Sequence, residues 1–308
     1  MHAFLTKCLR HLLWRYPLLS GHGSLIQIPP IRYLQFPKSV CFTKLRNGLD
    51  IAVFPDDFIG RCAYLFGDVD PKITLALRAL LNSGDTLVDV GANVGVVAFQ
   101  CLAYVGATGR IVAVEPQPTC CDALTQTITR HTLANVEVHQ IALSDKNGQL
   151  PLFQRDESNM GMSTLEPQVR AMPECHVRVE NASDFLATLS LGNNTSYVLK
   201  IDVEGHEKSV LRGMADYFAT HMPKAILFES HNLKNESLPD GEASEFHILS
   251  DLGFEVYELP KALMRLRLNR VILDGPRPTG TDFLAVPPEI CSATLRERFQ
   301  AIGRVLVT

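Results

Sequence analysis

The sequence predicts an α/β fold: a seven-stranded, mostly parallel sheet with helices on both faces, preceded by a β-hairpin segment. Three observations predict it. Beyond residue 85 the chain alternates short buried-strand patterns with amphipathic helical ones. The first of those strands ends in an acidic residue and a glycine turn. The 308 residues are 46% hydrophobic and 20% charged, enough apolar material for a substantial core. Lys+Arg 29 against Asp+Glu 33 gives a net charge of −4 and a pI near 6.2, which argues against the electrostatic grip that DNA or RNA requires, so no nucleic-acid partner is expected.

Residues 1–39 form a lead-in. Within it, LTKCLRHLLWRY (5–16) is a basic amphipathic start that either packs on the domain as a capping helix or touches a membrane surface or a partner. Its apolar run is broken by His11, Arg15 and Pro17 before it reaches signal-peptide length, and cytoplasmic residence is expected. Pro29, Pro30 and Pro37 exclude a central strand. VCFTKLRNGLDIAVFP (40–55) places two apolar runs around Asn47-Gly48, a dipeptide suited to a two-residue hairpin turn. PKITLALRALLN (71–82) has helical spacing behind a proline fit for a first turn.

The strands TLVDV (86–90), RIVAVE (110–115) and VEVHQ (136–140) then alternate with helices over 94–105 and 118–131. The pattern resumes with YVLKID (197–202), a helix over 205–220, AILFES (225–230), a helix over 243–252 and FEVYEL (254–259). DFLAVP (282–287) closes a domain spanning 40–288, and 289–308 reads as a tail helix. Residues 143–196 are less regular, and either fold as extra strands or cap a site. The eight cysteines include no pair with a two-residue gap and read as scattered, reduced thiols.

LVDVGANVG (87–95) carries the strongest chemical signal. Glycines are wanted where a ligand and a helix N-terminus must approach the backbone. Its spacing, Asp89-x-Gly91-x-Asn93-x-Gly95, departs from the G-x-G-x-x-G of dinucleotide folds and suits a ligand that offers no pyrophosphate. One βα unit on, Glu115 ends the second strand, where a carboxylate can accept hydrogen bonds from the 2′- and 3′-hydroxyls of a ribose.

VDVGANVG, VEPQP (114–118), IALSDKNG (141–148) and LKIDVEGHEKSVLRGM (199–214) together resemble the FkbM family of S-adenosylmethionine-dependent methyltransferases, over about residues 40–287. The resemblance implies a Rossmann-like class I methyltransferase fold. It further implies that Gly91, Asn93 and Gly95 line the methionine end of the cofactor, that Asp89 supports them, that Glu115 holds the ribose, and that Ala142 with its neighbours borders the adenine. GDVDP (67–71) is similar to the family's Gly-x-x-Glu-Pro element, with Asp70 where a Glu is usual.

Asp202, Glu204 and His206 follow a central strand beside Gly205, where ligands sit in open α/β sheets. Methyl transfer to a hydroxyl requires the acceptor proton to leave, and His206 and Asp202, with Glu204 next, are the candidate bases. Glu229 and His231 end the next strand as candidate substrate contacts. Two carboxylates and two imidazoles there would also suit a divalent cation, the minor alternative, because their spacing matches no standard ligand set. No Asp/Asn-Pro-Pro-Tyr tetrad occurs, which favours an oxygen over an amino acceptor.

The expected function is S-adenosylmethionine-dependent O-methylation of a small-molecule or glycan acceptor such as a sugar or polyketide, with residues 1–39 and 143–196 shaping the acceptor pocket. Two alternatives stand beside it. One is a nicotinamide-dependent oxidoreductase, for which the Tyr257/Lys261 pair is interrupted by Pro260; the other is a non-catalytic, cofactor-binding partner protein of a glycan or lipid pathway.

Overall fold

A computed structural model of the chain describes residues 9–16, 18–29, 31–156, 159–165, 173–191, 196–230, 244–261, 263–273, 278–290, 292–301 and 305–307. Its strands, in chain order, begin with β1 (Cys41–Lys44), β2 (Asp50–Val53), β3 (Thr86–Val90), β4 (Arg110–Val114) and β5 (Val136–His139). There follow β6 (Ala142–Ser144), β7 (Gly148–Asp156), β8 (Asn159–Thr164), β9 (Cys175–Asn181) and β10 (Tyr197–Ile201). The last are β11 (Ala225–Glu229), β12 (Glu255–Glu258), β13 (Leu266–Arg270), β14 (Asp282–Val286) and β15 (Val305–Val307).

Among the described residues the main sheet has nine strands in the order β15-β13-β12-β14-β11-β10-β3-β4-β5. From β5 to β11 neighbouring strands run parallel, and β14 inserts antiparallel between β11 and β12. The seven strands expected from the sequence form the body of this α/β sheet. Two further strands, β13 and β15, lengthen it beyond β12. LRLNR shows only two apolar residues, Leu266 and Leu268, both fully buried, too short an alternation to read as a strand in isolation.

Period-two geometry divides the core into two layers. Along β3, Leu87 packs into one cluster with Leu77, Phe99 and Leu124, while Val88 and Val90 enter the other with Met214, Phe228 and Leu186. The helices Pro71–Leu80, Val96–Val105 and Pro118–His131 cover the first face. Ala182–Thr188, Glu207–Phe218 and Glu245–Asp251 cover the second. Each fully buried Leu or Phe contributes about 1.5–3 kcal/mol.

A cap sits before and beside this sheet. The hairpin β1–β2 forms as expected, but its turn is corrected by the structure. Leu45 N donates to Leu49 O and Gly48 N to Leu45 O, so three residues make the turn, and only Gly48 has a positive φ, 93°. The side chain of Asn47 is drawn away to donate to Phe99 O at 2.8 Å, which ties the hairpin to the helix Val96–Val105.

Helix Phe58–Phe66 follows, capped by the Asp57 carboxylate on Ile59 N and Gly60 N. The N-terminal segment packs on it through Leu13, Ile26 and Ile31, and Arg10 lies 4.7 Å over the Tyr64 ring. The strands β6, β7, β8 and β9 form a second sheet in the order β6-β9-β7-β8, within which NMGMST (159–164) supplies β8. The described cysteines are free thiols, and no helix among the described residues is long and apolar enough to cross a membrane.

Candidate active site

Hydrogen bonds continue past the strand ends and register the site. Gly91 N donates to Val114 O at 2.9 Å, Asp202 N to Val90 O at 3.0 Å and Glu115 N to His139 O at 3.0 Å. The turn after β3, the end of β4 and the end of β10 are therefore fixed side by side, at the carboxyl edge where a parallel sheet leaves a crevice. Gly91 is required there twice over. Its φ is 80°, and a Cβ would stand 1.8 Å from Asp202 O.

A cavity of about 680 Å³ opens over this edge, within the range of small-molecule sites. Gly91, Asn93, Glu115, Ala142, Asp202, Glu204, His206 and Glu229 all line it. His231 lies outside the described residues. Two other sequence candidates do not reach the wall. Gly95 is a packing glycine: its Cβ would meet Phe99 at 2.5 Å and Leu124 at 2.6 Å, so the helix rather than a ligand excludes a side chain. Asp89 is 0% exposed and accepts from Lys200 Nζ at 2.9 Å, acting on the site only through that lysine.

Glu115 is held by backbone donors. Asn93 N donates to Oε2 and Gln117 N to Oε1, each at 2.8 Å. Asn93 reaches this position with φ 52°, and its own Oδ1 accepts from Val94 N at 2.7 Å. Burial nevertheless raises the Glu115 carboxyl to about 7, above what the two N–H groups hold down. Ile141, Ala142 and Leu143 give the adjoining wall an apolar character.

The β10–β11 end is built differently. Asp202, Glu204 and Glu229 each offer a carboxylate oxygen, all within 4.8 Å of one another, a donor set that a divalent cation would accept. Lys200 Nζ joins Asp89 to Asp202, 3.4 Å away, and also donates to Gly91 O at 3.3 Å. Burial works against the Lys200 charge, but Asp89 and Asp202 outweigh it and hold its pKa above the ordinary value. Glu229 is pushed well above the carboxylate range, first by burial and then by the charges of Asp202 and Asp282.

Glu204 has φ 52°, and its carbonyl accepts from Thr164 Oγ1 at 2.8 Å, linking this loop to the second sheet. Glu207 closes the loop by accepting from Val203 N and Gly205 N, each at 3.2 Å. His206, 7% exposed, sets its Nε2 3.0 Å from Ser144 Oγ.

Asp70 caps the helix Pro71–Leu80 by accepting from Lys72 N and Ile73 N, and does not line the cavity. Two residues on, Lys72 pairs with Asp282. Tyr257 is buried on β12 with its hydroxyl on Glu255 at 3.0 Å, away from the cavity wall.

The remaining wall was not anticipated residue by residue. Gln27 and Arg32 come from the N-terminal segment, Phe58, Ile59 and Arg61 from the helix Phe58–Phe66, and Ser163 and Leu165 from the second sheet. These residues carry no local motif. Only the folded cap brings them to the crevice.

The model of the methyltransferase FkbM domain matches residues 89–256, more than half of the chain. Methyltransferase 1 from Beauveria bassiana (strain ARSEF 2860) is 30% identical over 148 residues; the match covers 42% of this chain and spans 58% of that relative. The 31-O-demethyl-FK506 methyltransferase FkbM from Streptomyces tacrolimicus is 26% identical over 216 residues, 60% of this chain and 76% of the relative. A crystal structure of methyltransferase FkbM from Methylobacillus flagellatus KT shares 13% identity at a TM-score of 0.42, over 68% of this chain and 47% of that one.

Proposed function

The chain belongs to the FkbM methyltransferase family, and from that premise we propose that it transfers the methyl group of S-adenosylmethionine to a hydroxyl of a small-molecule acceptor. The acceptor class we propose is a sugar, a polyketide or a related secondary metabolite or glycan. The observation that carries the proposal is the convergence on one cavity of the Gly91–Asn93 turn, Glu115 and the acids that follow β10 and β11. The name of the Streptomyces tacrolimicus relative, which refers to 31-O-demethyl-FK506, supports an oxygen acceptor.

The residues present suit the cofactor. Glu115 keeps lone pairs for two ribose hydroxyls, and Ala142 with Ile141 and Leu143 offers an apolar surface to the base. Bound there, S-adenosylmethionine would supply an electrophilic methyl group and leave as a neutral thioether. Asp202, set between Lys200 and the protonated Glu229, is placed to take the proton that the acceptor hydroxyl loses. Glu229 gives its one proton to a hydrogen bond with Asp202, and Glu204 is placed to accept a hydrogen bond that orients the acceptor. His206, with Nε2 on Ser144, steadies the loop that carries Glu204.

The test is a calorimetric titration with S-adenosylhomocysteine beside NAD, followed by label transfer from methyl-tritiated S-adenosylmethionine to a panel of hydroxylated sugars and macrolides. Binding of S-adenosylhomocysteine alone and label on an ether oxygen are expected. Binding of NAD instead would replace the methyltransferase reading with the oxidoreductase one. Binding without transfer to any acceptor, and with no effect of Asp202→Asn, would favour the non-catalytic partner.

A further inference from the structure

The cavity is chemically lopsided. Its sheet side carries Asp202, Glu204 and Glu229, whereas the cap contributes two guanidinium groups, Arg32 and Arg61. Both arginines precede residue 89, where the match to the family domain begins. Arg61 is built into its place. Its Nη2 donates to Asp56 O at 2.9 Å, its Nε donates to Pro55 O at 3.5 Å, and the guanidinium lies 4.7 Å over the Phe36 ring.

Those contacts use two of the five N–H groups of the guanidinium, and among the described residues neither arginine is in an ion pair. Burial lowers the pKa of Arg61 in spite of the neighbouring Cys62, Asp56 and Asp57, so an arriving anion would relieve an incompletely compensated charge. Phe58 and Ile59, on the same helix, line the cavity beside it.

Resting on the methyl transfer proposed above, we infer that the acceptor is amphipathic and anionic: Arg61 and Arg32 hold its carboxylate or phosphate, and its apolar part lies on Phe58 and Ile59. A planar guanidinium suits either anion through paired N–H donors. The methionine carboxylate of the cofactor offers the same chemistry. Methylthioadenosine, which lacks that carboxylate, separates the two sources in the test below.

The experiment titrates protein loaded with S-adenosylhomocysteine with two probe pairs, ω-hydroxydecanoate against its methyl ester and dodecyl phosphate against dodecanol. In at least one pair the anionic member is expected to bind about tenfold more tightly. Arg61→Ala should erase that preference and Arg61→Lys should keep part of it, with the affinity for S-adenosylhomocysteine unchanged in both. Equal or absent binding of the anionic members, or a preference that survives in the Arg32→Ala/Arg61→Ala double variant, would overturn the inference. So would an Arg61→Ala protein that binds S-adenosylhomocysteine weakly but methylthioadenosine normally, which would assign the arginine to the cofactor. Failure of the wild type to bind S-adenosylhomocysteine at all would instead remove the methyltransferase reading beneath it.

Discussion

Two carboxyl groups, one buried and one half-buried, face one cavity from the same edge of the sheet, and the chain treats them in opposite ways. Glu115, at the end of β4, receives Asn93 N and Gln117 N, each at 2.8 Å, and titrates at about 7. Glu229, at the end of β11, is surrounded by Asp202, Asp282 and Glu204 and is held protonated by burial and like charge. Backbone donors make the first an acceptor, suited to ligand hydroxyls, while neighbouring acids make the second a donor. One residue type thus serves two roles because the surroundings push the two protonation states apart. The contrast also separates binding at the β3–β4 end from proton handling at the β10–β11 end.

The strongest way to break that division is to remove the lysine that spans it. Lys200→Met leaves Asp89 buried without its cation and should destabilise the fold by about 3–5 kcal/mol in urea unfolding. A loss below about 1 kcal/mol would mean that the ammonium does not hold the two loops together.

Asp202→Asn, a smaller perturbation of the fold, should lower turnover by about 10²-fold or more while leaving the S-adenosylhomocysteine affinity within about twofold. Equal losses in both would erase the distinction between the two ends.

Glu115→Gln should do the reverse, weakening S-adenosylhomocysteine by about tenfold. In the wild type that affinity should rise with pH through about 7, because the ribose hydroxyls donate to the ionised carboxylate. The glutamine variant should show a flat profile. The sign for stability is opposite. Between 4.5 and about 7 the folded chain keeps this proton while the unfolded chain releases it, so the contribution of Glu115 to stability is full below 4.5 and is lost as the pH rises through about 7.

The smallest effect is expected from chelator. The Lys200 ammonium and the proton on Glu229 already balance the acids around Asp202, so activity should change by less than about twofold. A complete loss, restored by a divalent cation, would turn the three carboxylates into a metal site.

The sheet was legible because its strands carry complete local patterns. All five residues of β3 are buried, as a central parallel strand requires, and the same is true of β10. Helix Phe58–Phe66 was not read from the sequence, although Asp57 before it and Gly67 after it are ordinary start and stop signals. The site was legible where a motif lies on one strand end, as with Glu115 and Asp202. Where the cap supplies the wall it was legible only by segment, as residues 1–39 and 143–196, while Arg61 lies in neither and reaches the cavity only through packing between segments far apart in sequence. Gly95 teaches a related lesson. A glycine-rich turn mixes positions demanded by a close approach to the site with positions demanded by helix packing, and only the neighbours of each Cβ tell them apart.

The most direct test is one set of calorimetric titrations with S-adenosylhomocysteine at neutral pH, comparing the wild type with Glu115→Gln and Asp202→Asn. Binding by the wild type, about tenfold weaker in Glu115→Gln and nearly unchanged in Asp202→Asn, is the predicted result. No binding by the wild type, or equal weakening in both variants, would contradict the assignment of cofactor binding to the β3–β4 end and of proton transfer to the β10–β11 end.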